Sequence, residues 1–508
     1  MQNSIEVIKK IENAIEPSDF IIADVNLWPL YRFYIADKLR VKSLNIPSSN
    51  LTGEGETKNI FFVISAMFKG LISNIRLITT IKRKDVIFLS HSNFQRFSLN
   101  DQMFDPYCYP VMEELNKIGL SSEIYQVGVS NNTKQSYIKT INVEDAIILW
   151  YFLLAPFMTM AAKIKAFVFH KNHLSLMVNK AIVELDYDFT VPNDSFFIER
   201  SARLAVKSWF FEYLIYRHKA KFGVLVGYGT QSGLAFNLAC SKKGVKTIEL
   251  QHGMVSQSLP RYYGWTNVPS KGYEFLPDVF WCWNKSELSS VYEWTNKATE
   301  HRALPHGNIY LQQREKYASQ QSKKITTDFR NATNSFEKIC LVTLQAPNVE
   351  PDWLLEAILA SPPSTFWLFK FHPADLKKAS RISKIKNYFN KKDLDNFDLE
   401  FANNPSLNIY DCIDVADNVV SAFSSTLLEA LMLNKIPVVI HSEGLVHYSN
   451  YVSSGEMLYL ENPDDFLRYF SATKSNSDNL ANLNLGADNK DSTQSVMQEI
   501  FTKGRLSS

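Results

Sequence analysis

Short apolar runs recur along the chain, separated by amphipathic stretches of about ten residues. In the first half, DVIFLS (85–90), FGVLVGYG (222–229), KTIELQ (246–251) and DVFWCW (278–283) read as buried strands, with a helix from Gln231 to about Ser241. In the second half, KICLVTL (338–344), STFWLFKF (364–371), NVVSAF (418–423) and IPVVIHS (436–442) read the same way, and a short strand is expected near LNIY (407–410). DWLLEAILA (352–360) and STLLEALMLN (425–434) read as helices. Strands alternating with helices imply βαβ units and parallel sheets. The stretch from Gln312 to Asn334 has no sustained apolar pattern and reads as a linker. The fold class expected is therefore α/β, with two Rossmann-like domains facing a cleft. The boundaries expected are 1–315 for the N-terminal domain, 316–335 for the linker, 336–475 for the C-terminal domain and 476–508 for a polar tail, loose or only locally helical.

Two segments depart from this alternation. Residues 146–162, AIILWYFLLAPFMTMAA, form an uncharged apolar run interrupted by Pro156 and followed by Lys163 and Lys165. A spanning helix needs about 20 such residues. A buried helix, a helix in the membrane interface and a span all remain open. Residues 59–80 are apolar but carry Lys69 and Arg76, and lead into Lys82, Arg83 and Lys84. This suits either a core helix with a solvated basic end or a surface that meets anionic lipid.

Composition narrows the class. The 508 residues include 54 Lys+Arg and 52 Asp+Glu, a formal charge of +2, which argues against a nucleic-acid binder. Apolar residues at 45% fit an ordinary globular protein. The five cysteines (Cys108, Cys240, Cys282, Cys340, Cys412) lie far apart with no CxxC, which excludes a disulfide framework and a thiolate zinc site of the usual spacing. They fit a reducing compartment. The first twenty residues show no basic stretch followed by an apolar core, so no secretory signal is read and a cytoplasmic protein is expected.

In open parallel sheets, ligands bind beyond the carboxyl ends of the strands. There, STFWLFKF runs into His372-Pro373, whose proline fixes an imidazole able to meet a phosphate. NVVSAF runs into Ser421, Ser424, Ser425 and Thr426 at a helix start, more hydroxyls than a cap needs, and Glu429 follows one turn on. KTIELQ ends in Gln251-His252-Gly253. The stretch Gly227 to Gly233 joins a strand to a helix and matches neither GxGxxG nor Walker A. Arg96, Asp101 and Asp105 follow the 85–90 strand. No metal-ligand cluster is visible.

These residues carry a resemblance. KFHP followed by SAFSST resembles the HP and Ser-Ser motifs of bacterial sialyltransferases and polysialyltransferases, and of enzymes that transfer glycerol phosphate from CDP-glycerol to teichoic acids. STLLEALMLNKIPVVI looks like the general pattern of two-Rossmann-domain (GT-B) glycosyltransferases. ELQHG resembles a strand end of the teichoic-acid enzymes, and FLSHSNFQRFSLNDQMFDPYCYP the start of transferases using CMP-linked Kdo. The clear acidic motif that supplies the base in sialyltransferases is absent, as are the Trp and Thr typical around the teichoic-acid histidine.

The resemblance implies a metal-independent glycosyltransferase of surface polysaccharide synthesis. Its expected partners are a nucleotide sugar, favoured as CMP-linked Kdo or a sialic-acid relative, and a glycan or lipid-linked acceptor. Peripheral contact with the inner face of the cytoplasmic membrane is also expected; nucleic acid and a separate cofactor are not. The C-terminal domain would bind the donor through His372, Ser421, Ser424, Ser425, Thr426 and Glu429. The N-terminal domain would face the acceptor and supply the base: His252, Asp105 or Asp101, with Gln251, Gly253 and Arg96 as substrate contacts. A sugar-nucleotide epimerase or hydrolase, and a non-catalytic nucleotide-binding scaffold, are the alternatives.

Overall fold

The computed structural model describes residues 4–22, 24–43, 60–95, 97–99, 102–128, 135–169, 173–297, 299–345, 349–372, 379–390, 394–472, 497 and 500–501. Contacts divide the chain into two compact units. The first holds Met1–Gln95, Asp105–Ile309 and Asp491–Ser508, and the second Arg96–Phe104 and Tyr310–Lys490.

The first unit is built on strands β1 (Val86–His91), β2 (Ser122–Val127), β3 (Thr140–Asn142), β4 (Phe222–Val226), β5 (Lys246–Leu250), β6 (Val279–Cys282) and β7 (Arg302–Pro305). Their order across the sheet is β7-β6-β5-β4-β1-β2-β3, with every neighbouring pair parallel. β4 is buried at all five positions, as expected of a parallel strand covered on both faces. The helices are α1 (Ser4–Ala14), α2 (Trp28–Ser43), α3 (Ile60–Thr80), α4 (Cys108–Lys117), α5 (Glu144–Phe169), α6 (Leu174–Glu184), α7 (Asp194–His218), α8 (Gln231–Lys243) and α9 (Lys285–Thr295). α8 is held at both ends: the Thr230 side chain accepts from Gly233 N, and Gly244 closes the helix in the left-handed region. A Cβ at Gly223 would lie 2.8 Å from Cys240 Sγ and 2.9 Å from the Phe236 ring, so glycine in β4 lets α8 sit close. α1 and α2 are tied by a fully buried ion pair, Arg32 Nη1 to Glu12 Oε2 at 2.6 Å, with Trp28 Nε1 donating to the other Glu12 oxygen.

The second unit repeats the plan. Strands β8 (Lys338–Thr343), β9 (Thr365–Lys370), β10 (Phe397–Asp398), β11 (Asn418–Ser421), β12 (Ile436–Val439) and β13 (Leu458–Tyr459) lie in the order β10-β9-β8-β11-β12-β13, all parallel. Helices α10 (Gln320–Ala332), α11 (Leu354–Leu359), α12 (Ala379–Asn390), α13 (Ile409–Val415) and α14 (Thr426–Met432) flank it. A hairpin of Phe97–Leu99 and Gln102–Phe104 belongs to this unit, with the Phe104 ring 4.8 Å from that of Tyr317.

Local structure departs from the sequence reading in two places. The stretch expected as linker contains α10, capped by the Ser319 side chain accepting from Ser322 N. Its one aromatic anchor, Phe329, stacks on Phe401 at 3.9 Å, too sparse an apolar pattern to show as periodicity. LNIY is not a strand: Asn408 opens α13 with a capping box, its side chain accepting from Tyr410 N and Asp411 N while Asp411 accepts from Asn408 N. Most of the polar tail lies outside the described residues. Of its C-terminal part, Phe501 is buried with its ring 4.9 Å from Phe222. All five cysteines are buried and free.

Candidate functional site

In each sheet the strand order runs outward in one direction from the first strand and then restarts on its other side. The reversal lies between β1 and β4 in the first unit and between β8 and β11 in the second. Chains leaving two adjacent strands in opposite directions open a crevice at that point, where ligands of open α/β sheets bind.

At the second unit's reversal, β8 ends at Thr343 and β11 at Ser421. Ser421 is fully buried, and its Oγ donates to Thr343 O at 2.7 Å. Thr426 Oγ1 is 2.8 Å from Thr343 Oγ1. Phe423 N donates to Gln345 Oε1 at 3.0 Å, and Gln345 N donates to Glu350 Oε1 at 2.7 Å. These bonds lock the two strand ends together. Ser421 and Thr426 thus spend hydroxyls on the scaffold, whereas Ser424 and Ser425 stay half-exposed at the edge. Ser424 Oγ accepts from Thr426 N at 3.3 Å, and its carbonyl accepts from Tyr448 Oη at 2.8 Å. Ser425 makes no side-chain cap bond. Glu429 lies inside, 4% exposed, accepting from Tyr410 Oη at 3.1 Å. His372, two residues past β9, is exposed at the same edge of the sheet. β8 lies between β9 and β11, so His372 and the serines stand two strand spacings apart, about 10 Å. Pro373 lies outside the described residues.

At the first unit's reversal, β4 passes into Gly227, which holds φ +75°, a conformation that favours glycine. A Cβ there would lie 3.6 Å from His252 Cε1 and 3.7 Å from Phe94. The His252 imidazole packs edge-on against Phe94 at 5.1 Å and Tyr107 at 6.3 Å between ring centres. Tyr107 Oη donates to His252 O at 3.1 Å. The loop carrying His252 is fixed from below by Gln251. Its Nε2 donates to Gly253 O and to Glu287 Oε2, both at 2.7 Å, and its Oε1 accepts from Trp283 N at 2.6 Å. Glu287 also accepts from Val255 N. Gln251 is thereby a buried positioning residue, and the left-handed glycine at these strand ends is Gly227, not Gly253.

Asp105 is 1% exposed. Oδ2 accepts from Ser90 Oγ at 2.5 Å, and Oδ1 accepts from Tyr107 N and Cys108 N at 2.9 and 3.0 Å, holding the start of α4. Burial raises its pKa, and the three bonds counteract that. Asp101 and Arg96 lie outside the described residues. Two residues at this edge escaped the sequence reading. His91 ends β1, its Nδ1 accepts from Asn93 N at 3.1 Å, and burial lowers its pKa against the pull of Glu144. Glu249, buried beneath the turn after β4, accepts on Oε1 from Tyr228 N at 3.1 Å and Tyr262 Oη at 3.0 Å, and burial pushes it up to about 8. His91 stands at a strand end and could have been found by that rule, but no glycine or proline marks it.

No protein-family model and no curated protein matches the chain. Solved structures do. The UDP-GlcNAc 2-epimerase of Neisseria meningitidis bound to UDP-GlcNAc aligns at a TM-score of 0.50 and 12% identity, over 82% of this chain and 99% of that one. The UDP-GlcNAc 2-epimerase of Methanocaldococcus jannaschii gives 0.46 at 12% identity, over 82% and 99%. The wall teichoic acid polymerase TagF gives 0.43 at 12%, over 86% and 97%. The first of these likenesses shows the fold: two parallel-sheet α/β domains of the GT-B kind.

Proposed function

We propose that this protein is a glycosyltransferase that moves a sugar from a nucleotide-activated donor to a surface glycan or glycolipid. The observation that carries the reading is the second unit's reversal point. There Ser421 and Thr426 brace the strand ends while Ser424 and Ser425 stay half-exposed on the same sheet edge as His372, two strand spacings or about 10 Å away. Donor phosphate oxygens accept hydrogen bonds from the two serine hydroxyls and from the imidazole. Glu429 serves the ribose side, held in place by Tyr410.

Glycosyl transfer needs charge stabilisation on the leaving phosphate and a base for the acceptor hydroxyl. His252 is assigned as that base. Tyr107, Phe94 and the Gln251–Glu287 pair fix its loop, and an imidazole can take the acceptor's proton. Asp105 holds α4 with both oxygens engaged and is assigned a positioning role. Asp101 remains proposed as an alternative base and Arg96 as a substrate contact. The favoured donor is a CMP-linked acidic sugar of the Kdo or sialic type.

A second reading, sugar-nucleotide epimerisation, draws on the likeness to the Neisseria meningitidis 2-epimerase. Incubation with CMP-, UDP-, GDP- and CDP-linked sugars separates the two. The transferase reading predicts nucleotide release that depends on an added glycan acceptor. Sugar interconversion without an acceptor, with the nucleotide still attached or released by hydrolysis, would overturn it.

A further inference from the structure

α3 and α5 pack directly on one another. A Cβ at Gly70 would lie 2.6 Å from both Asp145 O and Leu149 Cβ, so the helices touch backbone to side chain. Asn74 donates to Ala146 O at 3.4 Å and accepts from Trp150 Nε1 at 3.0 Å. Trp150 in turn packs edge-on against Phe210 of α7, 5.8 Å between ring centres. The pair is thus fixed to the first unit along one side. The other side is apolar and exposed. Ile64, Phe68, Leu71, Ile72, Ile75 and Ile78 on α3 recur at helical spacing, and so do Leu153, Phe157, Met160 and Ile164 on α5. Phe68 is 64% and Phe157 69% exposed. Two neighbouring stripes of this size are not the scattered apolar residues of an ordinary surface.

The charges along α3 and the segment that follows it have one sign. No carboxylate occurs from Ile60 to Lys84, which carries Lys69, Arg76, Lys82, Arg83 and Lys84. α5 has acids only in its first turn, and Lys163, exposed among its apolar stripe, pairs with Glu199 of α7 at 2.6 Å. A water-facing apolar surface whose border carries an excess of cations, with Lys69, Arg76, Lys82 and Arg83 exposed, complements an interface with a hydrocarbon interior and anionic headgroups. A span is a poorer fit. Val143, Ala146 and Ile147 belong to the unit's core, which anchors the start of α5 in protein. By length and composition alone Glu144–Ile164 could cross a membrane, but Trp150 packs on Phe210 of α7 and Asn74 of α3 and so holds the first half of the helix against protein.

We infer that the α3–α5 face docks in the plane of an anionic lipid surface. This rests on the transferase reading only for its purpose, which is to bring the enzyme to a lipid-borne acceptor. Vesicle binding is therefore measured without nucleotide, and nucleotide binding without vesicles, so that either can fail alone. The full chain is sedimented with phosphatidylcholine vesicles with and without phosphatidylglycerol. Wild-type protein is expected to sediment with the anionic vesicles and to be released by salt. Phe68→Glu combined with Phe157→Glu should weaken that binding at least about tenfold with an unchanged melting temperature. Lys82→Glu combined with Arg83→Glu, on exposed side chains with no core role, should weaken binding to anionic vesicles only. Wild-type protein left in the supernatant would overturn the inference. So would unchanged binding of both double variants, or a solution dimer that the Phe68→Glu/Phe157→Glu pair dissociates.

Discussion

Tyr107 donates its hydroxyl to the backbone carbonyl of His252 at 3.1 Å, and the two rings meet edge to face. The bond joins the start of α4 to the loop after β5, residues far apart in sequence. It sets the height of the imidazole above Gly227. Tyr107→Phe keeps the ring contact and removes the bond. It should cost about 1 kcal/mol of stability. Turnover is expected to fall about tenfold, with donor affinity unchanged. Denaturant melts and steady-state kinetics check this, and unchanged kcat would show that His252 needs no such support.

Gln251 is used on all sides: two donated bonds, one accepted. Gln251→Leu leaves the buried Glu287 and Trp283 N short of partners. Desolvated polar groups that each lose a partner should make this loss about 2–4 kcal/mol, more than an ordinary surface change. Urea unfolding measures it.

The glycines at the β4–α8 junction have different duties. A Cβ at Gly233 would lie 2.6 Å from Tyr228 O and 2.8 Å from Tyr228 Cα, both backbone atoms that cannot step aside. At Gly227 the nearest atoms are an ordinary 3.6 Å away, and only the left-handed backbone resists. Gly227→Ala should therefore cost about 1–2 kcal/mol, and Gly233→Ala more, through overpacking of at least about 3 kcal/mol. Comparable melting temperatures in the two variants would contradict this assignment.

Glu249 gives a pH test with a definite sign. Burial raises its carboxyl to about 8, from an ordinary value near 4.5. The folded state therefore binds the proton more tightly than the unfolded chain. Stability from this group is complete below pH 4.5, falls as pH rises towards 8, and stays lost above that. Glu249→Gln keeps the Oε1 acceptor used by Tyr228 N and Tyr262 Oη. Its melting temperature relative to wild type should climb between pH 5 and pH 9. A constant difference would mean that Glu249 does not titrate in this window.

The parallel α/β plan was legible because central strands such as FGVLV are apolar throughout and bounded by glycine or helix signals. The strand-end rule also led to His252, His372 and the serines. What stayed hidden was tertiary. Gln251 meets Glu287 across 36 positions, and nothing local in either segment announces the bond. Ser421 and Thr426 looked like ligand groups, but which hydroxyl braces Thr343 depends on the register of β8 with β11. LNIY reads as a strand from its Leu, Ile and Tyr, whereas the Asn408–Asp411 capping pair, equally present in the sequence, opens a helix there. Apolar content marked α3 and α5, but only packing shows which faces point to water.

The central claim is that the reversal point between β8 and β11 holds a nucleotide sugar's phosphate through Ser424, Ser425 and His372. Calorimetric titration of CMP and UDP into wild-type protein, Ser424→Ala/Ser425→Ala and His372→Ala tests it directly. One pyrimidine nucleotide should bind the wild type, and each variant should bind it at least about tenfold more weakly, at the strength of charge-assisted hydrogen bonds, with its melting temperature preserved. Equal affinity in wild type and both variants, or no binding of either nucleotide to wild type, would contradict it.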